Sequence, residues 1–167
     1  MVLRTIRGLE DPIVRRKARK VGKVDASIGR LVDDLIETMR AAPGVGLAAP
    51  QVGVPLRVAI VEVEEQLYTM VNPEILEYSK ELEPRPEGCL SVPGYWAEVT
   101  RPLRIRLRGQ DRRGKRYTMT AEGFLARAFQ HEIDHLDGVL YIDRLPSHDL
   151  LRRVEEGEDE EQVAAVG

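Results

Sequence analysis

One cysteine, one tryptophan and two phenylalanines in 167 residues leave little with which to build a disulfide framework or an aromatic binding face. Cys89 has no partner for an internal disulfide, which agrees with a reducing compartment. No run of about 18 apolar residues occurs, so no membrane-spanning helix is expected. The opening Met1-Val2-Leu3-Arg4-Thr5-Ile6-Arg7 lacks the apolar stretch of a secretory signal. A cytoplasmic location and no membrane partner follow as the default expectation. Neither charge sign dominates: 25 basic and 28 acidic residues give a net charge of −3. Such a chain has no global positive field to make nucleic acid its main ligand, and DNA is not expected as a partner. Internal repeats and a βαβ rhythm are also missing.

What is present is a chain long enough to bury one core without disulfides. Histidine is scarce, at three residues, yet two of them fall in His131-Glu132-Ile133-Asp134-His135. On a helix, positions i and i+4 lie almost above one another, so both imidazoles can aim at one metal ion. Glu132 leaves the helix beside that point, where it suits a general base acting on water better than a third ligand. A bland alternative is a partly buried polar pair. Phe124, Ala128, His131 and His135 share one face at i, i+4, i+7 and i+11, and unpartnered imidazoles on a buried face are costly. Thr120 is a hydroxyl cap candidate for this helix, and Gly138 supplies its stop.

Elsewhere Asp11 to Val24 reads as a short basic helix or turn opened by Pro12. Ala26 to Ala41 is an amphipathic helix with Ile28, Leu31, Leu35 and Met39 on one stripe. Leu56 to Val63 is a β-branched run typical of a core strand, and Thr69 to Ile75 is a strand interrupted by Pro73, placing it at an edge or a bend. Leu103, Ile105 and Leu107 alternate with arginines, and Gln110 to Gly114 turns this strand into Tyr117 to Thr120 as a hairpin. The order predicts an α+β fold, with mixed or antiparallel sheets packed around a central metal-binding HExxH helix. Residues 1–147 are read as the catalytic domain, and 148–167 as a helix start, from His148 to Val154, followed by an acidic tail at Glu155 to Glu161.

A catalytic metal needs a third protein ligand and an open position. The HExxHxxGxxH extension holds through Gly138 and then has Tyr141 where the third imidazole belongs. Glu155, Glu156 and Glu158 lie in a charged tail, and His148 in a polar turn. Cys89, in Glu87-Gly88-Cys89-Leu90-Ser91-Val92-Pro93, is the better choice: Gly88 permits close approach, Leu90 and Val92 alternate as in a strand, and Pro93 ends the pairing.

Three segments now stand together: Gly44-Val45-Gly46-Leu47-Ala48-Ala49-Pro50-Gln51, Glu87-Gly88-Cys89-Leu90-Ser91 and Gln130-His131-Glu132-Ile133-Asp134-His135. In order and spacing they resemble the signatures GxGxAAxQ, EGCxS and QHExDH of the peptide deformylases, over roughly residues 5 to 145. The resemblance implies removal of the N-formyl group from the initiator methionine of nascent polypeptides, with release of formate. It implies Cys89, His131 and His135 as ligands of Fe2+, for which Zn2+, Ni2+ or Co2+ can substitute. Glu132 would be the general base and acid, and Gln51 with the Leu90 backbone N–H would hold the oxyanion. Gly44 and Gly46, which also read as ordinary turn glycines, would let substrate backbone pair alongside. Val45, Phe124 and Ala128 are the candidates for the methionine pocket. Glu87 and Arg101 are expected to pair beneath the metal, and Asp134 to face away from it towards a backbone or basic partner. The partners implied are N-formylmethionyl peptides and transient ribosome contact, the latter not through the acidic tail, which RNA would repel. The chain is expected to be a monomer. Two rivals remain at this stage: an internal peptidase with a third His or Glu ligand, and a structural metal module closed by His148.

Overall fold

A computed structural model describes residues 2–154, so the acidic segment Glu155 to Glu161 lies outside the described residues. Two α-helices, α1 (Ala26–Ala41) and α2 (Gly123–Leu136), are set among eight strands: β1 (Gly46–Ala48), β2 (Val58–Val63), β3 (Gln66–Tyr78), β4 (Leu82–Cys89), β5 (Val92–Pro102), β6 (Arg104–Gln110), β7 (Arg116–Glu122) and β8 (Arg152–Arg153). One sheet has the order β1-β2-β3-β6-β7 and the other β4-β5-β8, with every pairing antiparallel. This is the α+β architecture the element order predicts.

The apolar run of β2 is explained by burial on both faces. Val58 and Ile60 point to α1, where they meet Leu31, Leu35 and Met39. Ala59 and Val61 point to α2, with Phe129, Ile133 and Leu136. Helix α1 follows its expected stripe, and Asp25 caps it by accepting from the Ser27 N–H at 2.9 Å. Helix α2 lies between the five-stranded sheet and a third cluster built from Cys89, Val92, Ala97, Val99, Leu140 and Tyr141. Residues Ala126 to Leu136 are consequently all buried. The sequence expectation of a single buried face is corrected to burial all round, because a second layer covers the side that carries Arg127, Gln130 and Asp134.

Two local expectations settle on one of their alternatives and two change. The 11–24 segment is helical only as a 3-10 turn, Pro12–Arg15, capped by Asp11. Of the edge or bend expected at Pro73, strand β3 has the bend: it runs between β2 and β6, and a register shift between Val71 and Glu74 forms a bulge there. Asn72 enters that bulge at φ 51°, and its side chain accepts from Val21 N–H and donates to Val21 C=O. Thr120 does not cap α2; it lies inside β7, and Glu122 stands at the cap position without a side-chain bond. The helix expected from His148 is one 3-10 turn, His148–Leu150, after which Arg152 and Arg153 pair with Trp96 and Tyr95 of β5. Gly138 does end α2, at φ 74°, where a Cβ would collide with the Arg15 carbonyl.

Candidate active site

Strand β4 ends at Cys89, and the chain reverses through Leu90 and Ser91 into β5, with Cys89 opposite Val92. Leu90 therefore belongs to a hairpin turn rather than to an alternating strand, and Pro93 lies inside β5 instead of ending the pairing. The reversal aims the Cys89 sulfur at α2. Its Sγ is 3.4 Å from His135 Nε2, which is 3.2 Å from His131 Nε2. The donor atoms of the three residues all lie within 4.8 Å of one another, and all three are buried. Nitrogen and sulfur donors of a tetrahedral centre with ordinary bond lengths are about 3.3–3.6 Å apart, so this donor set fits one divalent ion. Burial pushes the Cys89 thiol far up, and a thiolate there requires an adjacent positive charge. His148 is exposed and stands apart from this cluster, and Tyr141 stacks on His131 with ring centroids 6.3 Å apart.

The surroundings orient each donor. His131 Nδ1 is 2.8 Å from Glu87 Oε1, which leaves Nε2 to face the centre. Glu87 is held in turn by Arg101, whose Nε and Nη2 donate at 2.6 and 3.0 Å, and by Arg127, which also donates to the Val99 and Glu83 carbonyls. Burial opposes the Glu87 charge, but the bonds from His131 and Arg101 outweigh it and hold the carboxyl far below the usual range. The expected Glu87–Arg101 pair is thus present, and Asp134 faces away from the donors towards Arg101 and Arg144.

Glu132 is fully buried, and neither carboxylate oxygen has a hydrogen-bond partner among the described residues. Burial, reinforced by the Glu87 charge, pushes its carboxyl well above the usual range. A carboxyl shifted in this direction holds a proton more readily than an exposed one does. Gln51 occupies the 3-10 turn Ala49–Val52 after β1, where its Oε1 accepts from the Ala48 N–H at 3.0 Å. That bond sets the amide orientation, so Nε2 points to Ser91 Oγ at 3.0 Å and Cys89 Sγ at 3.8 Å.

The glycines have packing reasons. A Cβ on Gly46 would stand 2.7 Å from Glu132 Oε1, and one on Gly44 would stand 2.8 Å from Leu90 Cδ1. Val45 and Phe124 are half-buried against the same apolar cluster, together with Tyr68 and Leu125, while Ala128 is fully buried beneath them. Sequence reasoning overlooked Ser91, Arg127 and Arg144. Ser91 had a signal in its motif, and Arg127 had one in its place four residues before His131; nothing local marks Arg144.

A buried thiol and two imidazoles around one point, with a buried carboxyl and an oriented amide donor alongside, fit within this α+β fold a metal-dependent hydrolase. The sequence matches the family model of polypeptide deformylase over residues 3–150. A peptide deformylase of Natranaerobius thermophilus is 46% identical over 145 residues, spanning 86% of this chain and 93% of that protein. The crystal structure of the Thermotoga maritima peptide deformylase superposes with a TM-score of 0.86 at 43% identity, covering 88% of this chain and all (100%) of that one. That of the Ehrlichia chaffeensis enzyme in complex with actinonin gives 0.87 at 40% identity, covering 89% and 92%. The chain belongs to the polypeptide deformylase family. Among the described residues no helix is long and apolar enough to cross a membrane.

Proposed function

We propose that this enzyme hydrolyses the N-formyl group of formylmethionyl peptides, releasing formate and a free α-amine. The observation that carries this reading is the convergence of Cys89 Sγ and the two Nε2 atoms beside the unpartnered carboxyl of Glu132. Cys89, His131 and His135 would hold one divalent ion, Fe2+ with Zn2+, Ni2+ or Co2+ as substitutes, a set compatible with thiolate and imidazole donors. The ion supplies Lewis acidity towards water and the formyl carbonyl. Glu132 takes a proton from the attacking water as its oxygen bonds to the formyl carbon, and returns that proton to the amine nitrogen as the C–N bond breaks. Gln51 Nε2 and the Leu90 N–H donate to the oxygen that becomes negative in between.

Among the described residues strand β1 is the end strand of its sheet, and an extended substrate would add along the edge that β2 does not take. Val45 and Phe124 flank the apolar rim proposed for the methionine side chain, with Ala128 as its floor. Substrates of this kind are newly made chains, which places the proposed activity in the cytoplasm, in a monomer making transient contact with the ribosome.

Formate release from a formyl-Met-Ala-Ser peptide tests the reading, measured together with metal content. Wild type loaded anaerobically with Fe2+ should release formate. Glu132→Ala should lose about 10²- to 10⁴-fold in rate with metal kept. Cys89→Ala should lose both activity and metal. Absence of formate release by the loaded wild type refutes the proposal. The closed structural module finds no support among the described residues, where the donor cluster has three members and His148 is not one of them.

A further inference from the structure

We propose that Arg144 is a positioning residue for the metal centre, acting on His131 through Asp134, Arg101 and Glu87. The inference rests on the reading of Cys89, His131 and His135 as metal ligands. Arg144 closes the 3-10 turn Tyr141–Arg144 and is the most exposed member of this chain of contacts, with its side chain 50% exposed. Its Nε and Nη2 donate to the two oxygens of Asp134 at 3.1 and 2.7 Å. Asp134 Oδ2 also accepts from Arg101 Nη1 at 2.9 Å, and Arg101 grips Glu87 with its other two nitrogens. Glu87 in turn fixes His131 Nδ1. Four charged side chains from β4, β5, α2 and the turn therefore form one line that ends on a ligand ring.

The turn itself is pinned. Asp143 accepts from the Leu140 N–H at 2.9 Å and pairs with Arg15, and Tyr141 and Ile142 are buried. Arg144 thus presents a fixed guanidinium to Asp134. Removing it leaves Asp134 Oδ1 without its bonded cation, so the carboxylate draws on Arg101 alone and competes with Glu87 for that guanidinium. A solvent-open cleft of about 210 Å³, lined by Tyr78, Arg101, Gln130, Asp134 and Arg144, gives water access to the vacated position. Loss of Arg144 should loosen His131 although Arg144 touches no ligand.

The test uses the full chain loaded with Co2+. It follows visible absorption and the rate of metal loss to a chelator for wild type, Arg144→Ala, Arg144→Lys and, as a control, Arg112→Ala, whose exposed pair is with Asp33 of α1 and shares no residue with this line. Arg144→Ala should lose metal about 10- to 100-fold faster with an altered spectrum, as removal of groups supporting metal ligands does elsewhere. Millimolar guanidinium, entering the open cleft, should restore retention, and Arg144→Lys should restore it in part. Wild-type spectrum and release rate in Arg144→Ala, with or without a lower melting temperature, overturn the proposal. So does faster loss that neither guanidinium nor lysine reverses, because the cause is then disruption of the turn. A Cys89→Ala variant that keeps cobalt as wild type does refutes the metal-site reading instead.

Discussion

At the scale of single residues, the site depends on small side chains that leave room for functional ones. Gly46 stands where a Cβ would press on the Oε1, Cδ and Cγ of Glu132, at 2.7 to 2.9 Å. Gly46→Ala should therefore displace Glu132, lower formate release while metal content stays at the wild-type level, and cost about 1–3 kcal/mol in denaturant unfolding. Gly44→Ala meets only the tip of the Leu90 side chain, which can rotate, so its effect should be the smaller of the two. Gln51→Ala removes a donor that Ala48 and Ser91 hold in place. It should reduce kcat by about 10²- to 10³-fold without loss of metal, and an unchanged kcat would remove Gln51 from the oxyanion role. The proposed metal ligands were legible because one helix turn carries two of them and the third follows from motif order. Arg144 was not legible, since its partner lies across a turn whose path only packing sets.

At the scale of elements, α1 and the β6–β7 hairpin follow from pattern alone. The stripe of Ile28, Leu31, Leu35 and Met39 needs one partner sheet, and Ile105 and Leu107 alternate with exposed arginines. Strand β3 shows the limit of such reading. Pro73 cannot donate a ladder bond, which argues for an edge or a bend, and only the structure shows the bend, as a bulge inside the sheet. Asn72 makes the bulge possible, with φ at 51° and side-chain bonds to both backbone groups of Val21. Asn72→Ala should destabilise by about 2–3 kcal/mol, combining lost bonds with a left-handed backbone that alanine disfavours. Asn72→Gly should cost less, because glycine accepts that φ; equal losses in urea unfolding would show that the bonds alone matter. Strands β4 and β5 were missed for a related reason. Pro84, Pro86 and Pro93 interrupt their sequence pattern, while their pairing partners supply the structure.

At the scale of the whole molecule, stability should depend on pH through carboxylates paired far along the chain. Burial works against the Asp34 charge, but the Val2 N–H and the Arg4 guanidinium outweigh it and hold its carboxyl below the ordinary value of 3.8. Glu62 is lowered likewise by Arg40, against its burial. For groups shifted in this direction the unfolded chain binds the proton more readily, so their stabilisation is present above the ordinary carboxylate range and is lost as pH falls below it. Unfolding followed from pH 7 to pH 3 should show a decline below about pH 4, and Asp34→Asn should flatten part of it. An identical acid limb in the variant would exclude Asp34 as a contributor. By itself the sequence determined what short-range periodicity and motif order can specify: the helix presenting His131 and His135, the α1 stripe, the β6–β7 hairpin, and the family. Only the tertiary structure decided that β2 is buried on both faces, that α2 is covered all round, and that five charged groups converge behind His131. The physical reason is distance along the chain: Glu87 and His131 are 44 residues apart, and Arg127 and Glu87 are 40 apart. No local pattern records which of many arginines reaches a given carboxylate; close packing of separate elements selects the pairs.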